Sequence, residues 1–217
     1  MNAQSGKTAL TGLLASEFFS LCDPRFPVIS VQLWLLVMVP LTALGQRTIP
    51  MNLERLVQDA GVIVRGTVVG TESQRDPATK LLVTYVTIDV RENFYGAEGS
   101  RFTFKQYGGS EGRLVYRPAG APRYDEGEEL ILMLYPKSEI GMQSPVGMEQ
   151  GKFMVKAGRR SGGKTVSNSL ENRNLFKGLQ NPSALSKRSW ANASNPGSLD
   201  VVEFAQTIRS LVRLLKK

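Results

Sequence analysis

The chain has 217 residues, 41% of them hydrophobic, which allows one cored domain with appendages. It holds no histidine and a single cysteine, Cys22, which excludes Ser-His-Asp and Cys-His nucleophile pairs, histidine-bearing metal sites, thiolate clusters and internal disulfides. The formal net charge is +8, so solubility or an anionic partner is in play, while carboxylate, Lys or Tyr chemistry stays open.

Between Arg25 and Arg47 the stretch "FPVISVQLWLLVMVPLTALGQ" carries no charge, and it is about long enough to span a bilayer. Pro40 interrupts it, and Ala43-Leu44-Gly45 follows as the small-x-small triplet of a signal-peptidase site. The reading is an export signal cleaved after Gly45, which leaves Gln46 first and a mature chain without cysteine. Residues 1–25 balance Lys7 and Arg25 against Glu17 and Asp23, so the usual basic flank is missing. An uncleaved anchor with a cytoplasmic tail, or a misassigned gene start, is the alternative for residues 1–45. Either way the expected location is extracytoplasmic: secreted, periplasmic or envelope-associated.

Asn52 suits an N-cap, with Leu53, Leu56 and Val57 on one face of a short helix that Gly61 ends. A first strand is predicted over about Val62–Val69, with Gly66 as a bulge or bend. "SQRDPATK" reads as a turn started by Asp76-Pro77. In "LLVTYVTIDV" Leu82, Val86, Ile88 and Val90 share one face, the period-2 pattern of a half-buried strand. "NFYGAEGS" turns the chain, and "RFTFKQY" alternates with Phe102 and Phe104 inward. A long Gly- and Pro-bearing connection follows, with a short strand at Leu114–Tyr116. "LILMLY", Leu130 to Tyr135, has the composition of a central strand buried on both faces.

A hairpin is predicted around Gly158 to Gly163, and "LENRNLFKGLQNPSALSKRSWANASNPG" reads as polar, irregular loop. Ser198 then offers an N-cap, and Asp200 suits the positive end of a helix dipole. Val201, Phe204, Ala205, Ile208, Leu211, Val212 and Leu215 recur at 3–4 spacing, an amphipathic C-terminal helix. The predicted fold is mainly β: a small OB-like Greek-key barrel of five or more strands, with a short N-terminal helix and this C-terminal one. The domain plan is residues 1–45 as signal or anchor, 46–197 as barrel with a basic loop, and 198–217 as helix.

Four groups of residues invite a functional reading. Gly158 to Thr165 matches G-x-x-x-x-G-K-[ST]. The following "VSNSLENRN" lacks the helix that a phosphate loop requires, so a basic hairpin turn is the preferred reading. Asp125, Glu126, Glu128 and Glu129 lack calcium-loop spacing and read as a charged turn guarding the apolar strand. Tyr85, Tyr107, Tyr116, Tyr124, Tyr135, Phe94 and Phe104 offer either a stacking platform or core and cross-strand pairs.

The fourth group is basic. Residues 46–151 carry 12 Lys+Arg against 14 Asp+Glu, whereas residues 152–217 carry 13 against 3. Arg159, Arg160, Lys164, Lys187 and Arg188 are the candidates for holding an anion or a partner, with solvated loop cations as the alternative. The turn at Gly120 and Pro122, and Lys152 in "QGKF", are candidate surface features. Both places also have a structural reading: Gly and Pro set turn geometry, and Phe153 of "QGKF" fills the core.

The order "LERLVQDAGVIVRGTVV", "GAPRYDEGEELILMLY" and "GMEQGKFMV" resembles a group of uncharacterised bacterial exported proteins. These share an A/D-x-V-V-x-G-x-V strand, then G-A-P-x-[FY]-x-x-G-E-E, then Q-G-K-[FY]-x-V, covering about Asn52 to Val155. The opening "DAGVIVRGTV" is also similar to the first strand of netrin-like and tissue-inhibitor-of-metalloproteinase modules, which are OB-type barrels. The resemblance implies fold and export. The N-terminal cysteine with which those inhibitors bind zinc has no counterpart here.

These observations lead to an exported, non-catalytic interaction module, with a protein partner such as a protease. The alternative is a basic protein that binds envelope polyanions. No cofactor and no nucleic acid are expected, and membrane contact is expected through the N-terminal segment if it is uncleaved.

Overall fold

The computed structural model describes residues 49–158, 163–182 and 196–216, all within one compact unit. The predicted signal or anchor, together with Arg159, Arg160, Lys187 and Arg188, lies outside the described residues. Among those that are described, no helix is long and apolar enough to cross a membrane.

Helix α1, Leu53–Asp59, begins where the Asn52 side chain accepts a hydrogen bond from the Arg55 N–H at 2.9 Å. It buries Leu53, Leu56 and Val57 completely. Ala60 is the C-cap, so Gly61 has a different role from the one expected of it. A Cβ there would lie 2.6 Å from the Pro136 Cα, and only glycine lets the two backbones approach.

The chain then runs through β1 (Val62–Arg75), β2 (Leu82–Tyr95), β3 (Arg101–Tyr107), β4 (Gly109–Glu111), β5 (Leu114–Tyr116), β6 (Glu129–Leu134), β7 (Lys152–Ala157), β8 (Lys164–Asn168) and β9 (Leu199–Asp200). Helix α2, Val201–Leu215, ends it. Seven strands form one antiparallel sheet in the order β3-β2-β1-β6-β7-β8-β9, and β4 pairs with β5 separately. The protein is mainly β, as expected.

Strands β1 and β2 are each 14 residues long, well beyond the predicted boundaries. The outer half of β1, from Val69 to Arg75, is mostly polar and exposed, so it carries no apolar alternation to reveal it. Three register shifts interrupt the β1–β2 ladder, one at Arg65/Gly66. A Cβ on Gly66 would sit 2.3 Å from the Asp89 carbonyl oxygen, so the bend expected at this glycine is enforced by close packing.

Strand β6 is buried on both faces, as its run of apolar residues predicted. Ile131 and Met133 join Leu53, Phe153, Phe204 and Ile208 in a core beneath the two helices. Leu130, Leu132 and Leu134 join Val64, Val86, Ile88, Phe104 and Tyr124 in a second core on the opposite face. No helical residue among those described belongs to this second core, which Phe104 of β3 and Tyr124 help to fill.

The predicted closed barrel is not formed by strand pairing: the sheet is open, with β3 and β9 at its two ends. A connection after β6 links the end strand β3 to β6. Met142 bridges Lys105 in parallel, the Gln143 N–H donates to the Lys105 carbonyl at 2.8 Å, and Pro145 bridges Leu134. Isolated bridges are too short to make a ladder, which is why alternation in the sequence did not mark them.

Two further expectations shift. Helix α2 is capped by Asp200, which accepts from the Val202 and Glu203 N–H groups, because Leu199–Asp200 first pair with β8. The segment read as irregular loop contributes Leu175 and Phe176 to the core. Asn172, completely buried there, donates to the carbonyls of Val166 and Gly197.

Candidate functional site

The loop from Arg117 to Glu128 is built on two turns with a glycine in third place. In Pro118–Ala121 the Ala121 N–H donates to the Pro118 carbonyl at 3.1 Å, with Gly120 at φ +76°. In Asp125–Glu128 the Glu128 N–H donates to the Asp125 carbonyl at 3.1 Å, with Gly127 at φ +83°. Positive φ in that place is what glycine supplies without strain.

Between these turns the loop is anchored. The Pro122 carbonyl accepts from Gln106 Nε2 at 3.1 Å, and the Tyr124 ring meets Phe104 edge-on at 5.4 Å. Burial pushes the Tyr124 hydroxyl well above the usual phenol range, and the charge of Glu128 adds to the effect. Lys152 Nζ lies over the Tyr124 ring at 4.8 Å, donates to Glu128 at 2.8 Å and also reaches the Arg123 carbonyl.

Gly120, Pro122 and Lys152 are thus brought together around one cleft of about 520 Å3, with Arg117 and Glu149 in its walls. Lys152 is not the surface cation the sequence suggested. Its side chain is 11% exposed, and it clamps the loop to β7. Lys164, the described member of the basic candidates, also has a structural partner. It opens β8, where a phosphate loop needs a helix, and pairs with Glu129. Glu129 also accepts from Arg65 at 2.7 Å; burial alone would raise its carboxyl, but the bonds from Lys164 and Arg65 leave it below the usual range.

A second cleft, about 290 Å3, lies on the other side of the loop. Its walls include Ser73, Thr84, Gln106, Tyr107, Gly109 and Val115, with Arg117 and Arg123 at hand and Asp125 as the carboxylate. Gln106 Oε1 and the Tyr124 hydroxyl, both buried, have no hydrogen-bond partner there.

Strand β5 borders this cleft and differs from every other strand in its exposure. Leu114, Val115 and Tyr116 are 50%, 66% and 44% exposed, and Tyr107 beside them is 38% exposed. The rings of Tyr107 and Tyr116 lie 5.1 Å apart. Arg113, Arg117 and Arg123 are exposed and form no ion pair among the described residues. Sequence reading passed over these arginines, although "GRLVYR" sets an apolar triplet between two cations inside a polar loop.

The aromatic residues do not share one face. Tyr124 and Phe104 are core, Tyr85 donates to Asp76, and Phe94 lies under Arg209 of α2. Among the described residues no group of three or more acidic or cysteine side chains is placed to hold a metal ion.

Comparison with family models, with curated proteins and with solved structures finds no match to this chain.

Proposed function

We propose that this chain is an exported, non-catalytic interaction module that holds a protein partner at the arm formed by its separate β4–β5 hairpin, a protease being one candidate. The observation that carries the reading is the arm itself: four large apolar side chains stand exposed on and beside a hairpin two strands wide. Clustered exposed apolar surface of that kind marks interaction sites.

Support for the non-catalytic part comes from composition and from engaged charges. The chain has no histidine, and Asp76, Glu128 and Glu129 each hold a cation of the fold. The export part rests on the uncharged stretch before Arg47 and on Ala43-Leu44-Gly45. An OB-like kinship, including the netrin-like resemblance, is part of the same proposal. Its support is the three register shifts in the β1–β2 ladder and the bridging segment from Met142 to Pro145.

The test is photo-crosslinking from residue 115 and residue 107 of the full chain in the cells that make it. A single protein captured from both positions, and from neither Val202 nor Ile140, is the expected outcome. Both controls are exposed apolar residues outside the arm. Equal capture from the controls, or none from the arm, ends the reading. N-terminal sequencing checks export separately: the chain is expected to begin at or near Gln46.

A second reading is favoured by the three unpaired arginines: a surface that binds envelope polyanions. Binding by that route collapses as salt rises, because exposed charges are screened over about 8 Å at physiological ionic strength.

A further inference from the structure

We infer that β5 receives an extended acidic segment of the partner as a third strand of the β4–β5 sheet, an inference that rests on the interaction-module reading.

Strand β4 is fixed from beneath. A Cβ on Gly109 would fall 2.8 Å from Ser73 Oγ and 2.9 Å from Thr84 Oγ1, so this strand lies directly on the β1–β2 hairpin. Strand β5 pairs with β4 through Gly109–Tyr116, Ser110–Val115 and Glu111–Leu114, and with no other described strand. In an antiparallel pair alternate residues turn their N–H and C=O groups away from the partner strand. The outer edge of β5 therefore presents main-chain donors and acceptors, which is the template that strand addition uses.

The side chains on that edge select the occupant. Arg113 and Arg117 flank the strand and Arg123 lines the adjoining cleft, all exposed and without an ion-pair partner among the described residues. Glu111, the nearest acidic residue in the hairpin, is held by Arg75 at 2.8 Å. Asp125 offsets only part of the charge in the cleft wall. Leu114 and Tyr116 project to one side and Val115 to the other, as strand alternation requires. A segment that alternates acidic and apolar residues fits both the charge and the pleat. Polysaccharides and nucleic acids supply the charge but lack the row of amide donors and acceptors.

The probe is a fluorescein-labelled peptide of alternating Glu and Val, ten residues long, added to the full chain and followed by anisotropy. Companion peptides carry backbone N-methyl groups on the odd or on the even residues, which keeps the charge and blocks one edge. The inference predicts binding with slowed exchange of the β5 amides that face away from β4, and loss of binding for one of the two methylated peptides. The triple variant Arg113→Glu, Arg117→Glu, Arg123→Glu weakens the peptide by about tenfold or more. Val115→Pro, at an exposed position, also abolishes binding while the melting temperature stays at the wild-type value.

Equal binding of both methylated peptides overturns strand addition. Heparin that binds as tightly and protects the same amides overturns the peptide in favour of a polyanion. Failure of the Glu-Val peptide to bind overturns the acidic segment, and crosslinks at residue 115 would still leave the wider interaction reading standing.

Discussion

The turn at Asp76 and the arm at Leu114–Tyr116 are neighbours on the β1–β2 hairpin, and they treat charge in opposite ways. Asp76 is 3% exposed, and both its oxygens are engaged. One accepts from the Thr79 N–H and hydroxyl, at 3.1 and 2.7 Å, and the other from Lys105 at 3.0 Å and the Tyr85 hydroxyl at 3.1 Å. The Thr79 hydroxyl and then the Lys105 ammonium outweigh desolvation and hold the carboxyl well below the usual carboxylate range. Arg113, Arg117 and Arg123 are exposed and have no such partner among the described residues. A buried charge with every hydrogen bond made is a structural tie. A cluster of unpaired like charges beside exposed apolar residues is a surface still open to a ligand.

That contrast is open to experiment, starting where the effect is largest. Asp76→Ala removes the centre of the tie and strands Lys105, so the melting temperature is expected to fall by about 5 °C or more. Binding of the Glu-Val peptide at the arm should be unchanged in the same variant. A stable Asp76→Ala protein would break the comparison.

The next effect is acid sensitivity. A carboxyl whose folded pKa lies below its unfolded value of about 3.9 stabilises the protein fully above that value. The contribution is lost as pH falls toward the folded pKa. Asp76 and Glu129 both titrate low, so unfolding monitored by urea should show stability declining below about pH 4. Combining Asp76→Asn with Glu129→Gln should flatten that acid limb.

Changes at the arm should leave the fold alone. Replacing Arg113, Arg117 and Arg123 with Ser is expected to keep the melting temperature within about 2 °C of wild type. The same protein should lose most of its salt-dependent binding. A large loss of stability would show that these arginines are ties as well. The smallest effect is expected from Val115→Ser, which removes apolar surface already in water. Calorimetry should find the same transition within about 1 °C, with light scattering no higher than for wild type.

Parts of this picture were legible from the residues alone. Asn52 as a cap, Phe104 as core, and the double-faced burial of Leu130–Leu134 all follow from local rules of spacing and propensity. The extension of β1 through Gln74 and Arg75 was hidden, because a polar hairpin end has no apolar alternation. The candidate residues fared unevenly for a related reason. Gly120, Pro122 and Lys152 do meet at one cleft, yet Lys152 and Lys164 lie against carboxylates whose positions no local pattern specifies.

The sequence by itself determined the class of this protein: strands where apolar residues alternate, helices where they recur at 3–4 spacing, and no chemistry that needs histidine. Such patterns act through neighbours along the chain, so a single sequence displays them. Only the tertiary structure decided that the sheet stays open, that Lys105 reaches Asp76 across 29 positions, and that Lys152 reaches Glu128 across 24. The same holds for the arm. Which charges are left unpaired is a property of what the fold brings beside them, and that depends on contacts between distant parts of the chain.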